Sequence, residues 1–205
     1  MGLRSFLDKI KPQFSAGGRY SKLHSTFDAF ETFLYTPSTV TRSGAHIRDA
    51  VDMKRTMIAV IVALLPALIF GMYNVGLQHV LMRGGTDTSF WPLFGFGFLS
   101  MLPTIIVSYV VGLGIEFAVA QVRGHEVNEG FLVTGLLIPM VLPIGVPLWM
   151  TALATAFAVV FGKEVFGGTG MNIFNPALLA RAFLLFAFPK NMSGDDVWVA
   201  GYGAY

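Results

Sequence analysis

The sequence predicts an all-α membrane protein, with about five transmembrane helices that follow a basic, amphipathic N-terminal segment. Of its 205 residues, 54% are hydrophobic and only 13% are charged, and the mean hydropathy is +0.65. Soluble domains carry about a quarter charged residues. The net charge of +2 gives no indication of nucleic-acid binding, and the absence of cysteine excludes disulfides and thiolate metal sites.

Residues 1–55 are predicted to form a cytoplasmic head, because they hold nine of the 14 Lys and Arg residues. Apolar residues recur there at helical spacing in two sets: Leu3, Phe6, Leu7 and Ile10, then Leu23, Phe27, Phe30 and Leu34. Amphipathic helices of this kind lie at membrane surfaces. Two interpretations stay open, a positively charged anchor or a roof over a site for an amphipathic ligand.

Residues 56–205 are predicted to be the transmembrane part. Residues 56–82, 88–115 and 130–162 contain no Asp, Glu, Lys or Arg, and residues 165–189 contain only Arg181. A helix needs about 20 apolar residues to cross a bilayer, and the alternation typical of strands is absent. We expect helices at about 56–80, 94–121, 131–145, 147–162 and 176–189, of which the last is short for a full crossing.

The basic residues near the helix ends indicate an orientation. Lys54, Arg55, Arg123 and Lys163 fall on one side if every helix crosses, and Arg83 and Lys190 fall on the other. With the basic head in the cytoplasm, five crossings place the end of this chain in the periplasm.

Glu116 is the first candidate functional residue, because it lies about two turns inside the predicted helix that ends near Arg123. A carboxylate at membrane depth is costly and indicates a functional site by default. The alternatives are that it reaches the interface or pairs with a cation such as Arg181.

The polar loop that follows, 123–130, contains His125, Glu126 and Glu129. These side chains are compatible with metal binding or proton relay, but the composition is common in solvated loops. We therefore predict no metal site here.

The segment from Lys163 to Pro176 is rich in glycine and asparagine. Its glycines permit positive φ angles, and Asn175-Pro176 indicates a helix N-cap followed by proline at the first helical position. Irregular backbone at membrane depth lies in the protein interior or lines a cavity. With Asn172, this helix start is suited to a neutral hydrogen-bonding ring or an anion; the alternative is a kinked turn packed against a neighbour. A nucleotide-binding P-loop is excluded because Ser or Thr does not follow Lys163.

Several longer motifs occur in order along the chain: Phe33-Leu-Tyr-Thr-Pro37, His46-Ile-Arg-Asp-Ala-Val-Asp-Met-Lys-Arg55, Phe70-Gly-Met-Tyr-Asn74, Arg123-Gly-His-Glu-Val-Asn-Glu-Gly-Phe131 and Lys163-Glu-Val-Phe-Gly-Gly-Thr-Gly-Met-Asn-Ile-Phe-Asn-Pro-Ala177. With them the chain resembles the family of the B subunit of the sodium-translocating NADH:quinone oxidoreductase, the six-subunit Nqr complex. The D subunit of the related Rnf complex is an alternative, but the long head with Tyr35-Thr-Pro37 favours Nqr.

The resemblance implies a fold and a function. Family members have ten helices in two inverted five-helix repeats similar to the urea-transporter fold, so this chain is expected to be the N-terminal half. The implied function is that of a flavoprotein subunit in an inner-membrane translocase, which passes electrons from NADH to ubiquinone and exports sodium. The implied partners are the other subunits, ubiquinone, sodium and the lipid bilayer, and the protein would not be catalytic alone.

The resemblance also implies roles for individual residues. Asn172 and Asn175 match the motif on the riboflavin side, where the flavin is bound non-covalently. Gly112 and Leu113 match a glycine pair of the quinone region, whose second glycine is replaced here. Glu116 and Asp28 match acids of the sodium pathway.

The family also carries an FMN linked covalently to the threonine of a Ser-Gly-Ala-Thr motif. That motif is absent from this sequence, so we expect the attachment site beyond Tyr205 and assign no FMN residue. Two other functions stay open, a solute channel or transporter with a midplane site at the broken helix, and a scaffold without its own redox centre.

Overall fold

The structure is a computed structural model that describes residues 3–15, 18, 20–35, 41–47, 50–124 and 130–201. All regular structure in these ranges is helical. The α-helices are α1 (Leu3–Phe14), α2 (His24–Leu34), α3 (Met53–Met82), α4 (Phe90–Arg123), α5 (Phe131–Val141), α6 (Leu148–Gly162), α7 (Pro176–Ala187) and α8 (Pro189–Met192). Short 3₁₀ turns cover Ser21–Leu23, Glu164–Phe166 and Asp196–Trp198.

Three helical segments of the described chain are long and apolar enough to cross a membrane: Met53–Met82, Phe90–Arg123 and Leu148–Phe166. The apolar helices α5 and α7 have 11 and 12 residues, which corresponds to about 16–18 Å at 1.5 Å per residue. The hydrocarbon core is about 30 Å thick. The predicted all-α membrane protein is confirmed, but only three of the five predicted crossing helices have the length of a full span.

Proline and capping residues explain where the helices begin and end. Helix α5 ends at Val141 instead of the expected residue 145, because Pro143 holds Leu142 in an extended conformation with φ −94° and ψ 146°. Helix α3 begins at Met53, where the Asp52 carboxylate accepts the backbone N–H of Arg55 at 3.1 Å.

Helices α3 and α4 pack against each other through glycine. A Cβ atom on Gly97 would lie 1.7 Å from the carbonyl oxygen of Met72, and one on Gly76 would lie 2.1 Å from that of Leu93. Such contacts are possible only without a side chain. Small residues at helix interfaces allow this close approach in membranes, so the two glycines fix the α3–α4 pair.

The second half of α4 packs against α5 and α6, and α7 completes this group. The ring of Phe131 at the start of α5 is fully buried and fills the space beside Gly112, where a Cβ would lie 1.8 Å from a ring atom. Arg123 donates to the carbonyl oxygen of Glu164 at 3.0 Å, which joins the C-terminal ends of α4 and α6. At the opposite end of the molecule, the His79 ring in the last turn of α3 donates to the carbonyl of Ala200 at 2.6 Å. This hydrogen bond joins α3 to the C-terminal segment.

The predicted amphipathic segments correspond to α1 and α2, which contact each other. The rings of Phe14 and Phe27 stack with centroids 4.7 Å apart, and Lys11 forms an ion pair with Glu31 at 2.7 Å. Other apolar side chains of these helices remain exposed, including Phe6 at 57%. Exposed apolar faces beside basic residues suit a membrane interface.

Candidate functional site

The described part of the chain contains a cavity of about 310 Å³ between the start of α5, the start of α7 and the segment that links α6 to α7. Its polar lining consists of Thr134, Lys163, Thr169, Asn172 and Asn175. Its apolar lining includes Met57, Val133, Leu137, Ile173 and Phe174. Pockets for small molecules begin at about 300 Å³ and combine apolar walls with a few polar groups, so this cavity has the size and composition of a ligand site.

The linking segment takes the irregular path that its glycines predict. Gly167, Gly168 and Gly170 have φ angles of 113°, 97° and 91°, which confirms the expected left-handed backbone. Asn172 stabilises the loop, because its side-chain oxygen accepts the N–H of Gly170 at 3.3 Å and its amide donates to the carbonyl of Phe174 at 2.9 Å.

Asn175 caps α7, as the sequence predicts. Its side-chain oxygen accepts the backbone N–H groups of Ala177 at 2.9 Å and Leu178 at 3.4 Å, and Pro176 occupies the first helical position. The oxygen is therefore engaged by the helix. The group that Asn175 can offer to a ligand in the cavity is its side-chain NH₂.

Glu116 and Lys163 form a buried ion pair at the edge of the cavity. The ammonium of Lys163 donates to Oε1 of Glu116, and each side chain is only 4% exposed. The second carboxylate oxygen, Oε2, is buried and has no hydrogen-bond partner among the described residues. Pairing explains how α4 carries a carboxylate at this depth.

The partner of Glu116 is Lys163, so the suggestion of Arg181 is wrong. The guanidinium of Arg181 lies 5.7 Å from the centroid of the Trp198 ring, near the opposite end of the molecule. The sequence does carry a signal for Lys163, because it is the first charged residue after the uncharged stretch 130–162. Sequence reasoning misses the pairing because the two residues are 47 positions apart.

Thr169 supplies the observation that tests a flavin in the cavity. Its hydroxyl is buried and has no partner among the described residues, although it lines the cavity. A ligand with hydrogen-bonding ring atoms would satisfy it once the Thr169 side chain turns its hydroxyl toward the cavity. Together with the amide of Asn175 and the apolar walls, this donor set fits a neutral ring system such as riboflavin.

Gly112 and Leu113, the predicted quinone residues, lie outside the cavity lining. The Phe131 ring fills the space beside Gly112. Leu113 is half-buried and packs against the core around α5, α6 and α7. Gly114, in contrast, has open space where a side chain would be. The structure therefore gives Gly112 a packing role.

Asp28, the other predicted acid of the sodium pathway, lies half-buried on α2. Helix α2 rests on α4 through Phe30 and Phe117, whose ring centroids are 6.3 Å apart. Phe117 follows Glu116 directly, so α2 covers the helix at the level of the ion pair. No contact joins Asp28 to the pair among the hydrogen bonds and ion pairs of the described residues.

His125, Glu126 and Glu129 lie outside the described residues. Within the part of the chain that the structure does describe, no group of three or more His, Asp or Glu side chains is placed to hold a metal ion. Among the described residues, the candidate site consists of the ion pair and the cavity beside it.

These features define a multi-helix membrane protein with a buried ion pair beside a ligand-sized cavity. The chain belongs to the NQR2, RnfD, RnfE family, whose model matches residues 40–204. The resemblance inferred from the motifs is thus confirmed.

Several similar relatives are named as the B subunit of Na(+)-translocating NADH-quinone reductase. The chain is 46% identical to that of Chromohalobacter salexigens over 223 residues, which cover 99% of this chain and 54% of the relative. It is 46% identical to the relative of Stutzerimonas stutzeri over 222 residues, which cover 98% of this chain and 55% of the relative. It is 44% identical to the relative of Pseudoalteromonas atlantica over 226 residues, which cover 99% of this chain and 56% of the relative. The chain spans about half the length of the curated relatives it matches.

Proposed function

We propose that this chain acts within the B subunit of a sodium-translocating NADH:quinone reductase in a bacterial inner membrane. The observation that carries the proposal is the 46% identity, over 99% of the chain, to a relative of that name. In this function the chain works with other subunits, a quinone and sodium ions, and it is not catalytic alone. The relatives named above give no support to the Rnf alternative.

The cavity is proposed to hold a non-covalent flavin, which would supply electron transfer when bound. Thr169 and Asn175 would hydrogen-bond its polar ring atoms, while Asn172 holds the loop in shape. The apolar walls would contact the faces of the ring. The covalent FMN of the family is assigned to no residue of this chain.

The sodium pathway is proposed to include Glu116 and, on the covering helix α2, Asp28. Carboxylate oxygens are suitable ligands for a hard cation, and Oε2 of Glu116 has no partner in the described structure. The quinone region is proposed near Gly112 and Leu113, with the head helices α1 and α2 covering it. The N-terminus is proposed to lie in the cytoplasm.

Sodium transport is tested in inverted membrane vesicles that contain the assembled complex. We expect NADH to drive uptake of ²²Na⁺ into these vesicles. This uptake should be lost when the gene for the chain is deleted and should return when the gene is restored. Uptake that persists in the deletion strain would contradict the proposed function.

The flavin site is tested with Thr169→Val, which removes the unpartnered hydroxyl and keeps the shape. The matched control is Thr155→Val, which also removes a buried hydroxyl without a partner in the described structure but lies outside the cavity. Loss of one hydrogen bond costs about 1 kcal/mol, so we expect riboflavin to bind about fivefold more weakly to the flavin-depleted Thr169→Val complex. Equal affinity in both variants would argue against a flavin at this position.

A further inference from the structure

Lys163 belongs to two parts of the site at once. Its ammonium is bound to Oε1 of Glu116, and the residue also belongs to the lining of the cavity. The residue follows the last residue of α6, with φ −130° and ψ −60°, and its own carbonyl holds the loop by accepting the N–H of Gly168 at 3.0 Å. The backbone is thus fixed, while the flexible four-carbon side chain is bound to Glu116 beside the cavity.

Lys163 is the cation that contacts Glu116 in the described part of the chain. Helices α5 and α6, which pack on this part of α4, carry no charged side chain. Glu164 lies next to Lys163 in the chain, and its carboxylate faces Arg123 at 3.8 Å. The remaining ionisable groups on elements packed against α4 are His24, Asp28 and Glu31 on α2, and Lys54, Arg55, Tyr73 and His79 on α3.

Several of these groups are engaged elsewhere: Glu31 pairs with Lys11, Arg55 pairs with Asp52, and the His79 ring donates to the carbonyl of Ala200. If Lys163 leaves the carboxylate, Glu116 becomes a buried charge without a counterion, which is strongly unfavourable. Its charge must then be balanced by a cation from outside the protein.

We propose that the Lys163 ammonium is a tethered competitor that occupies Glu116 and must move toward the cavity before a sodium ion can bind this carboxylate. The choice of sodium as the external cation rests on the proposed function. Lysine suits this role because its ammonium is a compact point charge on a flexible stem. Negative charge on a cavity ligand attracts the ammonium and thereby favours sodium at Glu116.

The exchange conserves charge. In one state the carboxylate of Glu116 is balanced by the Lys163 ammonium, and its Oε2 has no partner among the described residues. In the other state the carboxylate is balanced by one sodium ion, and the ammonium is balanced only when the cavity ligand has gained one negative charge. One cation therefore enters for each ammonium displaced, and Lys163 sets the sodium concentration at which this happens.

The test measures equilibrium binding of ²²Na⁺ to the assembled complex in the absence of NADH, with choline chloride keeping the ionic strength constant. We expect Lys163→Met to bind sodium at least tenfold more tightly, because the competitor is gone. Lys163→Arg keeps a competing charge and should bind sodium no more tightly than the wild type, and Glu116→Gln should lose one sodium site. The matched control is Lys190→Met, the same change at an exposed lysine, which should leave the affinity unchanged.

A Lys163→Met complex that binds sodium as the wild type does, or more weakly, would overturn the proposal. If that variant assembles poorly, its melting temperature is measured instead. It should then rise with NaCl but not with choline chloride, because a ligand of the folded state stabilises it, and the double variant Glu116→Gln/Lys163→Met should show no such rise. A variant stabilised equally by both salts would also refute the tethered competitor.

These outcomes separate the inference from the function on which it rests. Absence of NADH-driven ²²Na⁺ uptake in wild-type vesicles would refute the proposed function, whatever the binding data show. Normal uptake together with unchanged sodium affinity in Lys163→Met would refute the tethered competitor alone.

Discussion

The two halves of the buried face of α4 pack against their neighbours through different kinds of residue. In the first half, Gly97 lets the backbone of α4 approach that of α3, and the neighbouring buried side chains Leu93 and Met101 are apolar. In the second half, the buried face carries Ser108 and Glu116, and the latter is paired with Lys163. Lipid does not drive apolar helix surfaces together as water does. Close packing therefore holds the first half, whereas the second half combines close packing at Gly112 with a buried ion pair.

The largest effect is expected where the second half loses one charge. Lys163→Met leaves Glu116 buried and unpaired, and breaking such a pair costs about 3–5 kcal/mol. The free energy of unfolding of the complex, measured in detergent without sodium, should fall by that amount.

The double variant Glu116→Gln/Lys163→Met removes both charges and should recover most of this loss. If the double variant is as unstable as the sum of its single variants, the two residues are not coupled. The contrast between the halves of α4 would then be wrong.

The first half should be sensitive to added atoms instead. Gly97→Ala places a Cβ 1.7 Å from the carbonyl oxygen of Met72, and overpacking of this kind costs about 1–3 kcal/mol. The melting temperature of the complex should fall accordingly. The matched control on the same helix is Gly95→Ala, where nothing lies within 4 Å of the new Cβ. Equal effects of the two substitutions would contradict the close contact between α3 and α4.

A smaller effect is expected at the helix that borders the cavity. Asn175→Ala removes the cap of α7, which costs about 1 kcal/mol. Asn175→Asp keeps an oxygen for the N–H groups of Ala177 and Leu178 and should retain the stability of the wild type. A stable Asn175→Ala variant would show that packing alone holds the start of α7.

The smallest effect is expected at a hydroxyl of α6, the helix that packs against the second half of α4. Thr155 is fully buried, and its hydroxyl makes no hydrogen bond among the described residues. Thr155→Val should therefore leave the melting temperature unchanged or raise it slightly, because an unsatisfied polar group is removed. A clear loss of stability would reveal a partner for this hydroxyl.

Features that depend on adjacent residues could be predicted from the sequence, whereas features that depend on distant ones could not. Asn175 and Pro176 form a cap from neighbouring positions, and the left-handed glycines 167, 168 and 170 need only their own backbone. The uncharged stretches likewise indicate the apolar helices directly. In contrast, Lys163 and Arg181 are equally suitable partners for Glu116 by charge, and only the packing of α6 against α4 selects Lys163.

Gly112 shows the same limit for packing. Gly112 matches a family glycine of the quinone region, so the resemblance predicts a ligand contact there. The sequence does not show that the Phe131 ring fills the space beside Gly112. The exposure of Gly114, two positions later, equally depends on which face of α4 the neighbouring helices cover.

The lengths of α3 and α4 have a consequence for the membrane around them. With 30 and 34 residues, they are about 45 and 51 Å long, which exceeds the hydrocarbon thickness of about 30 Å. Such helices tilt or extend into the headgroups, and the contacts at Gly76 and Gly97 require them to do so as one rigid pair. The depth of Glu116 below the lipid surface then varies with that tilt, so the thickness of the bilayer helps to determine how far its carboxylate lies from water.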